Sequence, residues 1–329
     1  MRQPRHIVFS IVRLFIPGKH LQRSAYECIA WFFDILIRKR LLLQQHIIKN
    51  IRDDFQNYAA THNINSALQL LKLHTDSDAI RLIDMFWERH INPFFFFNED
   101  ELRQYSLSRR CHIPYYFSTY DSVLRDVFLL HCGMVFLPQE VLSLIKNGAA
   151  IDGGAAAGDS SLVISAYKPT AIYAFEPSER HARELEKTIY LNQAQQKIKI
   201  VRMGLGTDNG TALIHDQYAD TYQTSTTSID SFAKDKIISL IKLDIEGMEY
   251  SVIEGAKKTI YRDKPILLIS IYHAGRDFFD IKPLIESWKL GYQFIIRDTE
   301  PCNGLVGVHL MLIGYVFSLP LRLQQPESW

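Results

Sequence analysis

The run Ala149-Ala150-Ile151-Asp152-Gly153-Gly154-Ala155-Ala156-Ala157-Gly158-Asp159-Ser160 decides the reading of this chain. A short apolar stretch passes into a turn of glycine and alanine, then into a segment with helical periodicity that opens at Ser160. Strand, small-residue turn and helix in immediate succession make the first unit of an open α/β sheet. In such sheets ligands bind at the carboxyl ends of the strands, where the strand order reverses. Small residues there let a ligand come close to the backbone, because no side chain stands in the way. The glycine turn taken alone is generic.

Asp152 narrows the choice of ligand. A dinucleotide seats its pyrophosphate on the helix N-terminus, where positive potential is wanted. A carboxylate at the strand end repels that group and suits a ligand with a sulfonium and an ammonium, such as S-adenosyl-L-methionine. A second strand, Ile172-Tyr173-Ala174-Phe175, then ends in Glu176-Pro177-Ser178, with Glu176 24 positions after Asp152. That is near the interval of about 20 residues at which an acid accepts hydrogen bonds from ribose hydroxyls. The same Glu can instead be a capping or solvated residue. A third strand ends at Arg202-Met203-Gly204, where an adenine would lie. The cofactor-binding candidates are Asp152, Gly153, Gly154, Ala155, Gly158, Asp159, Ser160, Glu176, Pro177, Met203, Gly204 and Asp244.

Outward from this core, short apolar runs alternate with amphipathic segments. Strands are expected at 149–152, 171–175, 199–203, 240–244, 266–272, 293–297 and 310–316. Helices are expected at 160–166, 179–192, 249–259 and 280–290. The turn Thr207-Asp208-Asn209-Gly210-Thr211 signals a small β insertion, Asn-Gly being a hairpin turn. The order fits an α/β fold with a seven-stranded doubly wound sheet. Before residue 146 the texture is helical: Leu43, Ile47, Ile51 and Phe55 share one face, and 66–73 and 78–89 read the same way, with Asp78 as a cap. Phe94 to Phe97 is a run of four aromatics suited to helix packing or to stacking a sugar or base.

Composition excludes several classes. An apolar fraction of 47% with 22% charged residues belongs to a globular chain. Net charge is +1, so no nucleic-acid partner is expected, although residues 1–40 carry +6 and leave −5 to the rest. That basic segment is either a helix with a solvated face or a weak peripheral contact with a membrane. Cys28, Cys111, Cys132 and Cys302 are too scattered for a zinc ribbon or a disulfide framework. No run reaches the roughly 18 apolar residues of a membrane span, and no signal peptide is read, so a cytoplasmic location is expected.

Chemistry is expected at two further strand ends. Leu243-Asp244-Ile245-Glu246-Gly247-Met248-Glu249 ends a strand and opens a helix; if the chain stays extended, Asp244 and Glu246 point the same way. Such acids can bind the cofactor ammonium, hold a divalent cation or orient an acceptor hydroxyl; no metal ligand is assigned. Glu249 reads as a first-turn helix residue. Ser270-Ile271-Tyr272-His273 ends the next strand, where a histidine is placed either to take a proton or to bond the backbone. His309 is a weaker candidate. The catalytic candidates are therefore His273, Asp244 and Glu246.

These stretches, with Phe128-Leu129-Leu130-His131-Cys132-Gly133, Phe136-Leu137-Pro138 and Thr227-Ser228-Ile229-Asp230, resemble the FkbM family of S-adenosylmethionine-dependent methyltransferases from about Val127 to Phe317. Lys242-Leu243-Asp244-Ile245-Glu246-Gly247-Met248-Glu249 is the most specific part. The resemblance implies a Rossmann-like methyltransferase sheet and methylation of a hydroxyl on a sugar, glycan or related small molecule. Asp152, Gly154, Gly158 and Glu176 would then contact cofactor, while Asp244, Glu246 and His273 would face the active site. Ala155-Ala156-Ala157 departs from the family, which commonly has an aromatic or polar residue there. The expected division is a helical N-terminal extension or domain at 1–120, a methyltransferase domain at 121–320 and a tail at 321–329. The competing readings are a nicotinamide-dependent oxidoreductase, a metal-dependent glycosyltransferase and a non-catalytic scaffold. Acceptor, metal requirement and oligomeric state stay open.

Overall fold

The computed structural model describes residues 51, 53–91, 115–117, 125–215, 221–299 and 309–317. The basic segment at 1–40, the aromatics 94–97 and Cys28, Cys111 and Cys302 lie outside them. The chain divides into two units, Met1–Asp53 and Asp54–Trp329; everything below concerns the second.

Its centre is a seven-stranded sheet. The strands are β1 (Ala149–Gly153), β2 (Ile172–Phe175), β3 (Ile198–Val201), β7 (Ile238–Leu243), β8 (Ile266–Ser270), β9 (Gln293–Asp298) and β10 (Leu310–Tyr315). They lie in the order β3-β2-β1-β7-β8-β10-β9. Every pairing from β3 through to β8 is parallel, and β10 runs antiparallel to both of its neighbours. All five residues of β1 and all five of β8 are buried, as expected of strands covered on both faces. The chain order turns outward in both directions from the β1–β7 pair. There Gly153 is level with Phe175 and Leu243, and Leu243 with Ile269. The segments after β1, β2, β7 and β8 therefore emerge together at one edge, at the switch point of the sheet.

All seven expected strands form, with ends shifted by at most two residues. The insertion is also present, but its pairing differs from the expectation. β5 (Gly210–His215) and β6 (Thr221–Thr227) form the antiparallel pair, while β4 (Gly204–Leu205) runs parallel to β6. Asn209-Gly210 thus links two strands that are not paired, and Asn209 Oδ1 accepts from Thr227 Oγ1 at 2.9 Å instead.

Several helices flank the sheet. They include α1 (Ile64–Lys72), α2 (Ser77–Ile91), α3 (Arg125–Leu130), α4 (Gln139–Leu142), α5 (Asp159–Ser165), α6 (Glu179–Leu191), α7 (Ile229–Phe232), α8 (Glu249–Glu254), α9 (Lys257–Asp263) and α10 (Gly275–Ser287). The single helix expected at 249–259 is divided at Gly255, and Asp230 explains the division. Its carboxylate accepts from Lys258 N (2.9 Å) and Thr259 N (2.7 Å), which satisfies the amides of a new helix start. The cap of α2 is Asp76, which accepts from Ala79 N at 2.8 Å; Asp78 only lies in the first turn. Among the described residues no single helix is long and apolar enough to cross a membrane.

Residues 54–91 pack within the same unit as the sheet. Phe55 meets Phe86 and Phe278 edge-on at 5.3 and 5.7 Å, and Phe86 stacks on Phe278 at 4.5 Å. The fully buried Lys282 ammonium donates to the Leu73 carbonyl at the end of α1 (2.5 Å) and pairs with Glu286 (2.7 Å). Asp76 also binds Arg297 of β9 through both guanidinium nitrogens, at 3.1 and 2.8 Å. Asp76→Ala removes a helix cap and this ion pair together, and should cost about 1–2 kcal/mol in urea unfolding. A change within about 0.5 kcal/mol, the size of an inconsequential surface substitution, would contradict that account.

Candidate active site

The turn after β1 is built around a buried ion pair. Asp152 is level with Lys242 across the β1–β7 pairing, and its side chain is fully buried. The Lys242 ammonium lies 3.2 Å from Asp152 Oδ1, and Oδ2 accepts from Ser160 Oγ (2.7 Å) and Ser161 Oγ (2.5 Å). Lys242 also donates to the carbonyls of Gly153 and Gly154, at 3.2 and 2.9 Å. Burial opposes a charged lysine, but Asp152 and then Asp244 outweigh it and hold Lys242 above its usual value. This corrects the expected role of Asp152. Its charge is compensated in the interior, so it anchors the turn and does not present negative potential to a ligand. Lys242 is the residue sequence reasoning passed over. Its signal was a lone cation inside a largely apolar strand.

The glycines are also explained by the protein itself. Gly154 has φ +72°, and a Cβ there would lie 1.9 Å from the Asp244 carbonyl oxygen. Its lack of a side chain lets the segments after β1 and β7 approach each other closely. Ala155 N, like Gly154 N, donates to the Phe175 carbonyl, and Gly158, at φ +92°, occupies the N-cap of α5. Asp159 accepts from Ser160 N at 2.9 Å.

Glu176 closes this turn from the second strand. It is 6% exposed and accepts from Ala156 N (2.9 Å) and Ser178 N (2.8 Å), with His181 Nδ1 at 4.0 Å. Burial raises its carboxyl pKa, against the two amides and His181. Pro177 leads into Ser178, which caps α6. Met203 N bonds back to the Val201 carbonyl, and Gly204 begins β4.

Asp244, Glu246 and His273 do come together, though not by strand alternation. β7 ends at Leu243, and Glu246 takes a left-handed φ of +59°. His273 Nε2 lies 3.6 Å from Asp244 Oδ1 and 3.8 Å from Glu246 Oε2. Tyr272 donates its hydroxyl to Asp244 at 3.2 Å. Burial disfavours the Asp244 carboxylate, yet the Lys242 and His273 cations hold it below the usual range. Its side chain is 25% exposed and that of Glu246 74%, so these carboxylates are the open face of the cluster.

Glu249 does more than open a helix. Fully buried, it accepts from Ile245 N (2.8 Å), Gly247 N (2.9 Å) and His273 Nδ1 (2.9 Å), tying the 244–248 turn to the segment after β8. His273 is thus a cation among three acids. Burial works against its charge, but Glu249 and Glu246 prevail and its pKa is pushed up to about 10. At neutral pH it is an imidazolium, not the free base that the sequence reading considered. Asp244, Glu249 and His273 each bring one atom within 4.8 Å of the others. The Glu249 oxygens are engaged by three N–H donors, so the three residues form an ion-paired network. The His309 ring stands edge-on to Tyr272 at 4.9 Å.

Because the folded pKa of His273 lies above its ordinary 6.5, the stabilisation from its charge is complete below about 6.5 and is lost as pH rises through about 10. The difference in unfolding free energy between wild type and His273→Gln should therefore shrink from neutral pH to above 10 in denaturant titrations. A difference independent of pH would contradict this charge state.

Residues 152–294 match the family model described as the methyltransferase FkbM domain. No curated protein matches the sequence. Among solved structures, a methyltransferase FkbM from Methylobacillus flagellatus KT shares 22% identity at a TM-score of 0.43, over 66% of this chain and 59% of that one. The chain thus spans less than two thirds of that protein. An O-methyltransferase from Bacillus cereus, solved in complex with SAH, shares 10% identity at a TM-score of 0.39, over 71% of this chain and 100% of that one. An rRNA methylase from Streptococcus thermophilus shares 12% at 0.35, over 54% and 93%. The family match falls on the elements that build the turn and the cluster, and the chain carries a methyltransferase FkbM domain over residues 152–294.

Proposed function

We propose that this chain is an S-adenosylmethionine-dependent O-methyltransferase whose acceptor is a hydroxyl on a sugar, glycan or related small molecule. The observation that carries the choice of donor is the state of the amides around the glycine turn. Ala156 N is held by Glu176 and Ser160 N by Asp159. A diphosphate would need such amides and would meet two carboxylates in their place. Glu176 fits a ribose, since two adjacent hydroxyls can donate to one carboxylate.

When bound, S-adenosylmethionine supplies an electrophilic methyl group on a sulfonium. The chain's own part is to hold the acceptor in line and to take up its proton. An alcohol is a poor nucleophile, so its attack gains from a base acting as the carbon–oxygen bond forms. With His273 protonated, that base is a carboxylate of the Asp244 and Glu246 pair, which the imidazolium holds in place. The hydroxyl proton ends on that carboxylate and then passes to water. No covalent enzyme intermediate is required, so alignment accounts for most of the acceleration.

Calorimetry with S-adenosylmethionine, S-adenosylhomocysteine and NAD tests the donor. We expect the first two to bind and NAD not to bind; binding of NAD alone would end this reading. Glu176→Gln should weaken S-adenosylmethionine by about 1.5–3 kcal/mol, the worth of hydrogen bonds to a charged group. An unchanged dissociation constant would remove Glu176 from the ribose site.

A further inference from the structure

Helix α10 opens two residues after His273 and has no cap of its own. Its N-cap residue is Ala274, which offers no side-chain acceptor, although the first amides of a helix find no partner within it. Gly275, whose amide comes first, is buried, and a buried N–H left unpaired is costly. Its acceptor comes from far back in the chain: Gly275 N donates to Asp54 Oδ2 at 2.7 Å. Residues 53–61 are helical. One turn beyond Asp54, Tyr58 donates to Asp280 Oδ1 at 2.6 Å and stacks on Phe279 at 5.0 Å. The two segments are in close contact at this point, since a Cβ on Gly275 would lie 2.7 Å from the Tyr58 Cβ. Asp54 thus does for α10, from another helix, what Ala274 cannot.

The start of α10 is also where the cluster is assembled. Asp277 Oδ1 accepts from Tyr250 N at 2.8 Å, which joins the first turns of α10 and α8. Glu249, beside Tyr250, holds His273 Nδ1 at 2.9 Å. A Cβ on Gly247 would lie 3.7 Å from the Ala274 Cβ and 3.8 Å from the His273 Cβ. The turn that carries Asp244 and Glu246 therefore rests against Ala274, the residue between His273 and the amide that Asp54 holds. We propose that Asp54, with Tyr58 as its brace, is a positioning residue for His273. By fixing the Gly275 amide it sets where Ala274 and the imidazole lie against the 244–248 turn, and so directs Nε2 at Asp244 and Glu246. This deepens the reading of His273 as an active-site group and rests on it. Asp54 and Tyr58 lie outside residues 152–294, the stretch matched by the family model.

Asp54→Asn keeps an oxygen acceptor for the Gly275 amide, whereas Asp54→Ala removes it. The readout is the His273 ring Nδ1–H resonance in the ligand-free full chain labelled with ¹⁵N at histidine, at neutral pH, assigned by its absence from His273→Gln. We expect Asp54→Ala to shift this resonance and lose its protection from exchange with water, and Asp54→Asn to retain both. Asp76→Ala weakens the docking of residues 54–91 through Arg297 of β9 and not through α10, so it should leave the resonance unchanged. No change in Asp54→Ala overturns the proposal, and so does an equal change in Asp76→Ala, which would mark general loosening. A change in Asp54→Asn as large as that in Asp54→Ala would mean that the charge acts rather than the bond, and overturns it too. If Asp54→Ala fails to fold, Tyr58→Phe decides. It loses only the bond to Asp280 and should shift the His273 resonance; an unmoved resonance would sink the idea. None of these measurements contains a methyl donor, so a protein that binds no S-adenosylmethionine would refute the proposed function without touching this result.

Discussion

The ion pair between Asp152 and Lys242 joins the two central strands at the place where the chain order reverses, and the geometry of the site follows from it. Taking an ammonium and a carboxylate out of water costs several kcal/mol for each. Here both are met by charged or polar partners. Lys242 reaches one carboxylate and two carbonyls, and Asp152 receives the ammonium and two serine hydroxyls. Such an arrangement makes either charge alone intolerable, so the pair fixes strand register as well as the path of the glycine turn. With the turn set, Ala156 N meets Glu176, and with β7 set, Asp244 stands next to the segment after β8.

From that pair outward, charge alternates. The ammonium faces Asp152 and Asp244, Asp244 faces the His273 imidazolium, and the imidazolium faces Glu246 and Glu249. Each group owes its state to the next one along. This order explains why a histidine at a strand end, ordinarily a group that titrates near neutrality, is held as a cation here.

Much of the sheet was legible because central parallel strands are continuous apolar runs bounded by turns. Ala149–Gly153 and Ile266–Ser270 are of this kind. What was not legible depends on register and on long-range contact. Asp152 and Lys242 are 90 positions apart, and only the β1–β7 alignment makes them partners. Reading Asp152 by itself gave the right strand end with the wrong physical role. Glu249 looked like an ordinary first-turn acid because a sequence does not show a side chain folding back onto the two amides before it. The break at Gly255 needed Asp230, an acid from another helix, to cap the second half. Asp244, Glu246 and His273 were recognisable from their places at strand ends, and they converge through a left-handed turn that alternation does not describe.

The docking of residues 54–91 bears on where this protein can be cut. A fragment starting at residue 121 would retain the whole sheet and every candidate for chemistry. It would nevertheless strip Phe55 and Phe86 from Phe278, remove the acceptor from the Gly275 amide and leave the Lys282 ammonium without the Leu73 carbonyl. An apolar face and a buried cation would both be bared on the helix that follows His273. The smallest self-sufficient folded piece is therefore longer than the stretch that sequence kinship delimits.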